Sequence, residues 1–462
     1  MQAPLRRSFP IPAILCTVLA VAGLSPSTPG QDAFTDMFNT MRDQIEQLNR
    51  EVAALRAKTE SLENQLEQAQ YGAPAGEDEF YIPRLAGDFA SGGEATSLGN
   101  IYTKPFLSNL GERTYLGGYF DIEYTDSDGD DDKFFDQHRF VPLIYADVSD
   151  RVKIAAEIEI EHGSELEVEF AQMDYLVDDS FNVRTGIQLL PLGKLNEVHD
   201  SPIQDLTARP LVNRYIIPTT LRDAGVGFWG NISESVSYHA TISNGFRGLD
   251  AMGKSVITPT AGLRDAAPQK DGKLPGVGPF DQINDNLAYT ARVAIKPELG
   301  VEFGISALFD TYDEKGENGL AIYALDATID GKAVDCLPDN MELLAEAAWA
   351  EISRDTFAEA SGVADDMYGY YLQGNWHFDP AFLDRFRESG SIEDEAHFTF
   401  VTRLDHVMLD TYEHSRTTFG LNFRPNAHDT VFKLDFQMNS DRGSAKGKNE
   451  DNAIVLSAAS YF

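Results

Sequence analysis

The densest chemistry in the chain is a ladder of carboxylates. Asp121 and Glu123 stand two residues apart; Glu157, Glu159 and Glu161 keep that spacing, and Glu165, Glu167 and Glu169 resume it after His162-Gly163-Ser164. Side chains two apart share one face of a strand, so these acids form one wall of a hairpin. Ile154, Ala156, Ile158, Ile160, Leu166, Val168 and Phe170 form the other, apolar wall. Where such rows line confined water, they select which ions enter. Arg184, Arg292, Lys296, Arg403, Arg424 and Lys433 fall on the polar faces of other strands. An interior acidic on one side and basic on another would carry a transverse field.

Other motifs point to no reaction. Gly225-Val226-Gly227-Phe228-Trp229-Gly230 spells a dinucleotide fingerprint, but a turn and a strand follow where a phosphate-cradling helix is required. Asp126, Asp128, Asp130, Asp131 and Asp132 resemble a calcium loop with a misplaced Gly129 and no closing glutamate; a solvated loop fits better. The nine histidines show no metalloprotease or zinc spacing, and no nucleophile-elbow serine appears. Neither an enzyme, a metal site nor a cofactor is expected.

The elements that must position the acids recur along the chain. From Tyr115 to Phe462 sixteen segments have strand character, with apolar rows such as Leu287, Tyr289, Ala291, Val293, Ile295 and Phe432, Leu434, Phe436, Met438. Phe181, Val183, Ile187 and Leu189 read as another such row, as do Val301, Phe303, Ile305 and Phe309. Short turns (147–151, 178–180, 231–235, 297–299, 425–429) alternate with long connections (125–136, 190–223, 245–285, 353–366, 440–451). The connectors 331–341 and 379–395 are long for the short side. Strands of about ten residues, even in number, with short turns at one end and long loops at the other, mark an all-β transmembrane antiparallel barrel. A terminal aromatic, Phe462 after Tyr461, suits its last strand. The loop 190–223 mixes Lys194, Glu197, His199, Asp200, Asp205, Arg209, Arg214 and Arg222 with apolar Leu206, Ile216 and Ile217. Its apolar residues prefer burial, so it either folds inward as a constriction or packs as a cap over the mouth.

The 462 residues carry a formal net charge of -37, which excludes a nucleic-acid partner, while 11% aromatic residues argue against general disorder. Arg6 and Arg7 precede an apolar run from Ile11 to Leu24, so residues 1–30 read as a signal peptide cleaved after Gly30. Cys16 would leave with it, and Cys336 would then have no partner. Residues 31–70 contain heptads: Phe38, Ile45, Val52, Thr59 and Leu66 at one core position, Phe34, Met41, Leu48, Leu55 and Leu62 at the other. These predict an α-helical coiled coil, hence an oligomer, whose heptad stretch would reach roughly 50 Å. Residues 71–114 read as a linker and 115–462 as the barrel.

The stretches RTGIQLLPLGKLNE (184–197), TTLRDAGVGFWG (219–230), YHATISNGF (238–246), GYYLQGNW (369–376) and TTFGLNFRPNAHDTVFKLDF (417–436) resemble the phosphate-selective porin O and P family. The resemblance covers roughly residues 115–462 and implies a trimeric sixteen-stranded barrel with one channel per subunit. That family's arginine ladder and lysine cluster have no residue-by-residue counterparts in this chain, so its architecture carries over while its phosphate selectivity stays open.

The combined expectation is an outer-membrane porin of a Gram-negative-type envelope: a homotrimer in lipid, its coiled coil in the periplasm, passing small hydrophilic solutes or ions. The lining would comprise Asp121, Glu123, Glu157, Glu159, Glu161, Glu165, Glu167, Glu169, Arg184, Arg292 and Lys433, with Lys194, Arg209, Arg214 and Arg222 at a constriction. The acidic rows predict weak cation preference or none, whereas the resemblance implies phosphate or other anions. Loop cations at the narrowest point would reverse the first expectation. A competing reading makes the barrel an anchor for a coiled-coil tether between outer membrane and cell wall.

Overall fold

The computed structural model describes residues 108–109, 113–128, 133–249, 254–268, 286–313, 315–426, 429–443 and 451–462. The signal peptide, the coiled coil and nearly all of the linker therefore lie outside the described residues. After a two-residue strand β1 (Ser108–Asn109) come sixteen long ones. These are β2 (Thr114–Ser127), β3 (Lys133–Asp147), β4 (Val152–Glu161), β5 (Glu165–Leu176), β6 (Asn182–Leu189), β7 (Arg222–Ser233), β8 (Val236–Ser243) and β9 (Ala288–Glu298). The second half holds β10 (Val301–Thr311), β11 (Gly319–Asp330), β12 (Met341–Ile352), β13 (Met367–Phe378), β14 (His397–Leu409), β15 (Tyr412–Arg424), β16 (Thr430–Gly443) and β17 (Ala453–Tyr461). Each pairs antiparallel with its chain neighbour, and β17 pairs with β2 from Ala453↔Ser127 to Tyr461↔Tyr119. The sheet is a closed sixteen-stranded barrel, with no free edge.

Its exterior is apolar. Leu421 pairs with Leu434 and Leu434 with Leu456, and all three side chains are exposed. Aromatic rings bracket this aliphatic band. At the long-loop end Phe309, Tyr323 and Trp349 touch in sequence, with centroids 5.7 and 5.4 Å apart. At the short-turn end Phe378, Phe398 and Phe423 do the same at 5.8 and 4.9 Å. Two rings of aromatics around an aliphatic belt match the two interfaces of a bilayer. Among the described residues no helix is long and apolar enough to cross a membrane. Phe462 stacks on Phe140 at 5.5 Å and donates its amide to the Gly118 carbonyl at 3.0 Å, locking the seam.

Three sequence expectations need correction. Phe170 and Leu189 are buried together with Leu143 and Ala155 and do not join the outer rows. The cause at Phe170 is a register shift between Glu157 and Ile158 on β4, where Glu157 pairs with Phe170 but Ile158 with Val168. The bulged Glu169 is followed by an inward Phe170, so the alternation changes phase. Val301 is buried as well, beside a register shift against β9. Loop lengths alternate less strictly than expected: on the long-loop end the connections 162–164 and 410–411 are tight turns, built on positive φ at His162, Gly163 and Asp410.

The exterior assignment has a direct test. Leu434→Arg places a cation in the apolar belt and should cost about 2–4 kcal/mol at the midplane of a bilayer. Urea titration of the barrel refolded into lipid vesicles measures this, with Leu434→Ala as the size control. A soluble fold with Leu434 facing water would show almost no penalty for the arginine.

Candidate functional site

The barrel interior is occupied by the β6–β7 connection, residues 190–221. Its Leu190, Leu192, Leu211, Val212, Ile216, Ile217 and Leu221 have no exposed surface. Asn196 fastens its base: the side-chain amide donates to the carbonyls of Leu190 and Leu221, both at 2.8 Å, and its oxygen accepts from Leu221 N at 2.7 Å. The short helix α1 (Leu211–Tyr215) follows Pro210, a residue suited to a helix start. The next long connection packs on this loop, with Leu263 N donating to Tyr215 O at 2.7 Å.

Chain folded into a barrel has no neighbouring strand for its backbone, and each unmet peptide group would cost free energy. Inward side chains of the strands meet that need. Glu346 accepts from the amides of Lys194 and Leu195 at 2.9 and 3.2 Å. Asp405 accepts from Leu211 N at 3.0 Å and Asp435 from Thr207 N at 2.6 Å. Arg403 donates to Ala208 O at 2.7 Å, Arg424 to Pro202 O at 2.8 Å and Lys433 to Ser201 O at 2.8 Å. Glu346, Asp405 and Asp435 were not singled out by sequence reasoning. Their signal, an isolated acid on an inward position, looks like any water-facing carboxylate.

Beside the loop lies a cavity of about 590 Å³. One side carries Glu123, Glu159, Glu161 and Glu167; the loop contributes Arg209, Arg214 and the start of β7 Arg222, with Arg139, Arg264 and Arg416 completing the lining. The acids are partly matched. Arg139 Nε lies 2.8 Å from Glu159 and 3.3 Å from Glu161, and Arg222 pairs with Glu167. Arg264 pairs with Asp265 at 3.2 Å. Arg209 donates to the Thr219 carbonyl, Arg416 donates to Asn439 at 2.9 Å, and Arg214 lies 5.5 Å from the Tyr215 ring centre. Among the described residues none of these three makes an ion pair. Burial, reinforced by the neighbouring Arg139 charge, pushes Arg209 down to about 10, which leaves it cationic at neutral pH.

The remaining expected residues lie elsewhere. Asp121, Glu157 and Glu169 are inward and buried but do not line the cavity, and Glu165 is exposed at the turn end of β5. Arg184 is held by Asp174 at 2.9 Å, while Arg292 joins Glu302 at 2.9 Å and Asp326 at 2.6 Å. Lys194 is committed to Glu302 at 3.3 Å and Thr328 at 3.1 Å, away from the cavity.

No family model matches the chain. A protein of Aquifex aeolicus (strain VF5), described only as uncharacterized, is 31% identical over 218 residues, which are 45% of this chain and 47% of that protein. The chain thus spans about half the length of the curated relative it matches. Among solved structures, the anion-selective porin from Comamonas acidovorans is similar with a TM-score of 0.49 and 11% identity, over 76% of this chain and 99% of that one. The outer membrane channel DcaP of Acinetobacter baumannii gives 0.47 and 12%, over 77% and 99%.

The inward position of the loop can be trapped chemically. Thr207 Oγ1 of the loop and Ser457 Oγ of β17 lie 3.1 Å apart. With Cys16 and Cys336 replaced by serine, Thr207→Cys with Ser457→Cys should form a disulfide under mild oxidation, seen as a mobility shift on a non-reducing gel after denaturation. A loop standing over the mouth would leave both thiols free to alkylate.

Proposed function

We propose that the chain is an outer-membrane porin, a water-filled diffusion channel for small hydrophilic solutes whose narrowest stretch favours anions. The observation that carries this reading is the inserted loop, which occupies the interior of a closed, lipid-compatible barrel beside a cavity lined by six arginines and four glutamates. Ion preference follows the charge within about a Debye length of the passing ion, roughly 8–10 Å at physiological salt. There the unpaired Arg209, Arg214 and Arg416, three charges, outweigh the two left on a wall of four glutamates after Arg139 and Arg222 are counted against it. Planar guanidinium groups also suit phosphate oxygens, consistent with the resemblance to the phosphate-selective porin O and P family.

The same reading includes export by residues 1–30, a periplasmic coiled coil over 31–70 and a homotrimer in the outer membrane. The tether alternative accounts for the heptads but gives no reason for a charged cavity or for a loop so heavily bonded inside, since an anchor needs neither.

Planar-bilayer recording in a KCl gradient tests the proposal. The expected reversal potential has the sign of anion preference, and Arg209→Gln with Arg214→Gln should move it toward cations. Phosphate should reduce chloride current in the parent and less in the variant. Absence of conductance would remove the channel reading; cation preference in the parent would restore the acidic wall as the governing feature.

A further inference from the structure

We propose that Asp136, His138 and His162 form a binding site for a divalent transition-metal ion of zinc's class, at the long-loop mouth of the barrel. One ligand atom from each of the three lies within 4.8 Å of the others. Asp136 Oδ2 is 2.7 Å from His162 Nδ1 and 3.6 Å from His138 Nδ1, and the two rings meet edge-on with centroids 5.7 Å apart.

Two backbone features bring these residues together. On a regular strand Asp136 and Arg139 would point to opposite faces. A register shift intervenes: Asp121 pairs with Arg139, whereas Glu123 pairs with Asp136. The extra residue on β3 turns Asp136 to the same side as Arg139 and lets His138 reach the cavity lining. Gln137 spans the bulge, donating to the carbonyls of Asp121 and Arg139 at 3.0 and 3.1 Å. The second histidine arrives from the β4–β5 turn, where His162 adopts φ 51°. Asparagine, aspartate and histidine tolerate that left-handed conformation better than most residues. The turn itself would be served equally by asparagine; only histidine adds an imidazole facing Asp136.

The donor set fits the ion. Two imidazoles and a carboxylate match zinc and its neighbours, while calcium and magnesium prefer all-oxygen ligands. Further carboxylates stand close: Glu123 Oε1 is 3.9 Å from His138 Nε2, and Glu161 and Glu165 group with His162. Any of them could supply a fourth ligand after a small side-chain rotation. His138 and Asp136 are half-buried and His162 is half-exposed, so an ion from the outer solution has access.

The test uses full-length protein in detergent, titrated with ZnCl2 against a chelating dye, with CaCl2 as the control ion. Saturable binding of one zinc per chain at micromolar concentration is expected, unaffected by millimolar calcium. His138→Asn and His162→Asn should each weaken it by at least about tenfold, since losing a ligand should cost no less than losing one of its outer supports. His162 sits on an exposed turn, and asparagine suits its backbone, so that variant tests the site without threatening the fold. Zinc binding unchanged in both variants, equal competition by calcium, or no saturable binding would each overturn the proposal. Binding is read without any current, so this result and that of the bilayer experiment stand separately.

Discussion

The seam between β17 and β2 is the constraint on which the rest depends. Hydrocarbon offers no hydrogen-bond partner, so a sheet in lipid must pair every strand on both sides. The unbroken register from Ala453↔Ser127 to Tyr461↔Tyr119 provides that for the two strands otherwise left as edges. Closure then divides the side chains: one set must suit lipid, and the other is enclosed. The apolar rows of the outer face and the charged residues within are two consequences of one ring of backbone bonds. Phe462 contributes to both, holding Gly118 through its amide and covering Phe140 on the outside.

Enclosure alone would leave a wide lumen; the 190–221 loop changes that. Its apolar residues bury against one another and against Phe246, Leu308, Ile322 and Leu344. Its peptide groups are met by side chains along one arc of the ring, among them Glu346 on β12, Asp405 and Arg403 on β14, and Asp435 and Lys433 on β16, while loop residues His199 and Glu197 pair with Glu169 on β5 and His239 on β8. A segment held from so many directions has little room to shift. The charges that strand alternation points inward are therefore spent in two ways: many secure the loop, and the remainder face the cavity.

This division explains what was legible in the sequence. Strand number and face follow from period-two patterning, which the lipid boundary enforces, so Leu434 or Tyr289 could be assigned outward from the pattern alone. Bulges escaped because one extra residue looks like ordinary alternation until its partner strand is known. Phe170 changed face for that reason, and the approach of Asp136 and His138 to His162 was invisible for the same one. The role of the loop was only half legible: its apolar residues announced burial, but inward and capping positions bury them equally. Lys194, Arg209 and Arg214 are similar by composition, yet Lys194 is consumed by Glu302, while the other two face the cavity. That sorting is decided by three-dimensional pairing, which linear spacing does not contain.

The same sorting resolves the tension between an acidic chain and the anion preference proposed for its interior. A net charge of -37 sums every acid, wherever it lies. A small ion in the cavity responds to the groups within about a Debye length, roughly 8–10 Å, and much less to charges dispersed on outer loops. Of the acids nearby, Glu159 and Glu161 share Arg139, and Glu167 is held by Arg222. Two guanidinium charges offset part of the field of the four lining acids, Glu123 among them. The acidic rows of β4 and β5 thus hold part of the basic lining in place, while Arg209, Arg214 and Arg416, bonded only to neutral groups among the described residues, keep their positive field for whatever passes. Selectivity in such a barrel is set by the charges left over after pairing. The row of glutamates that dominates the sequence is, by that measure, the counterweight.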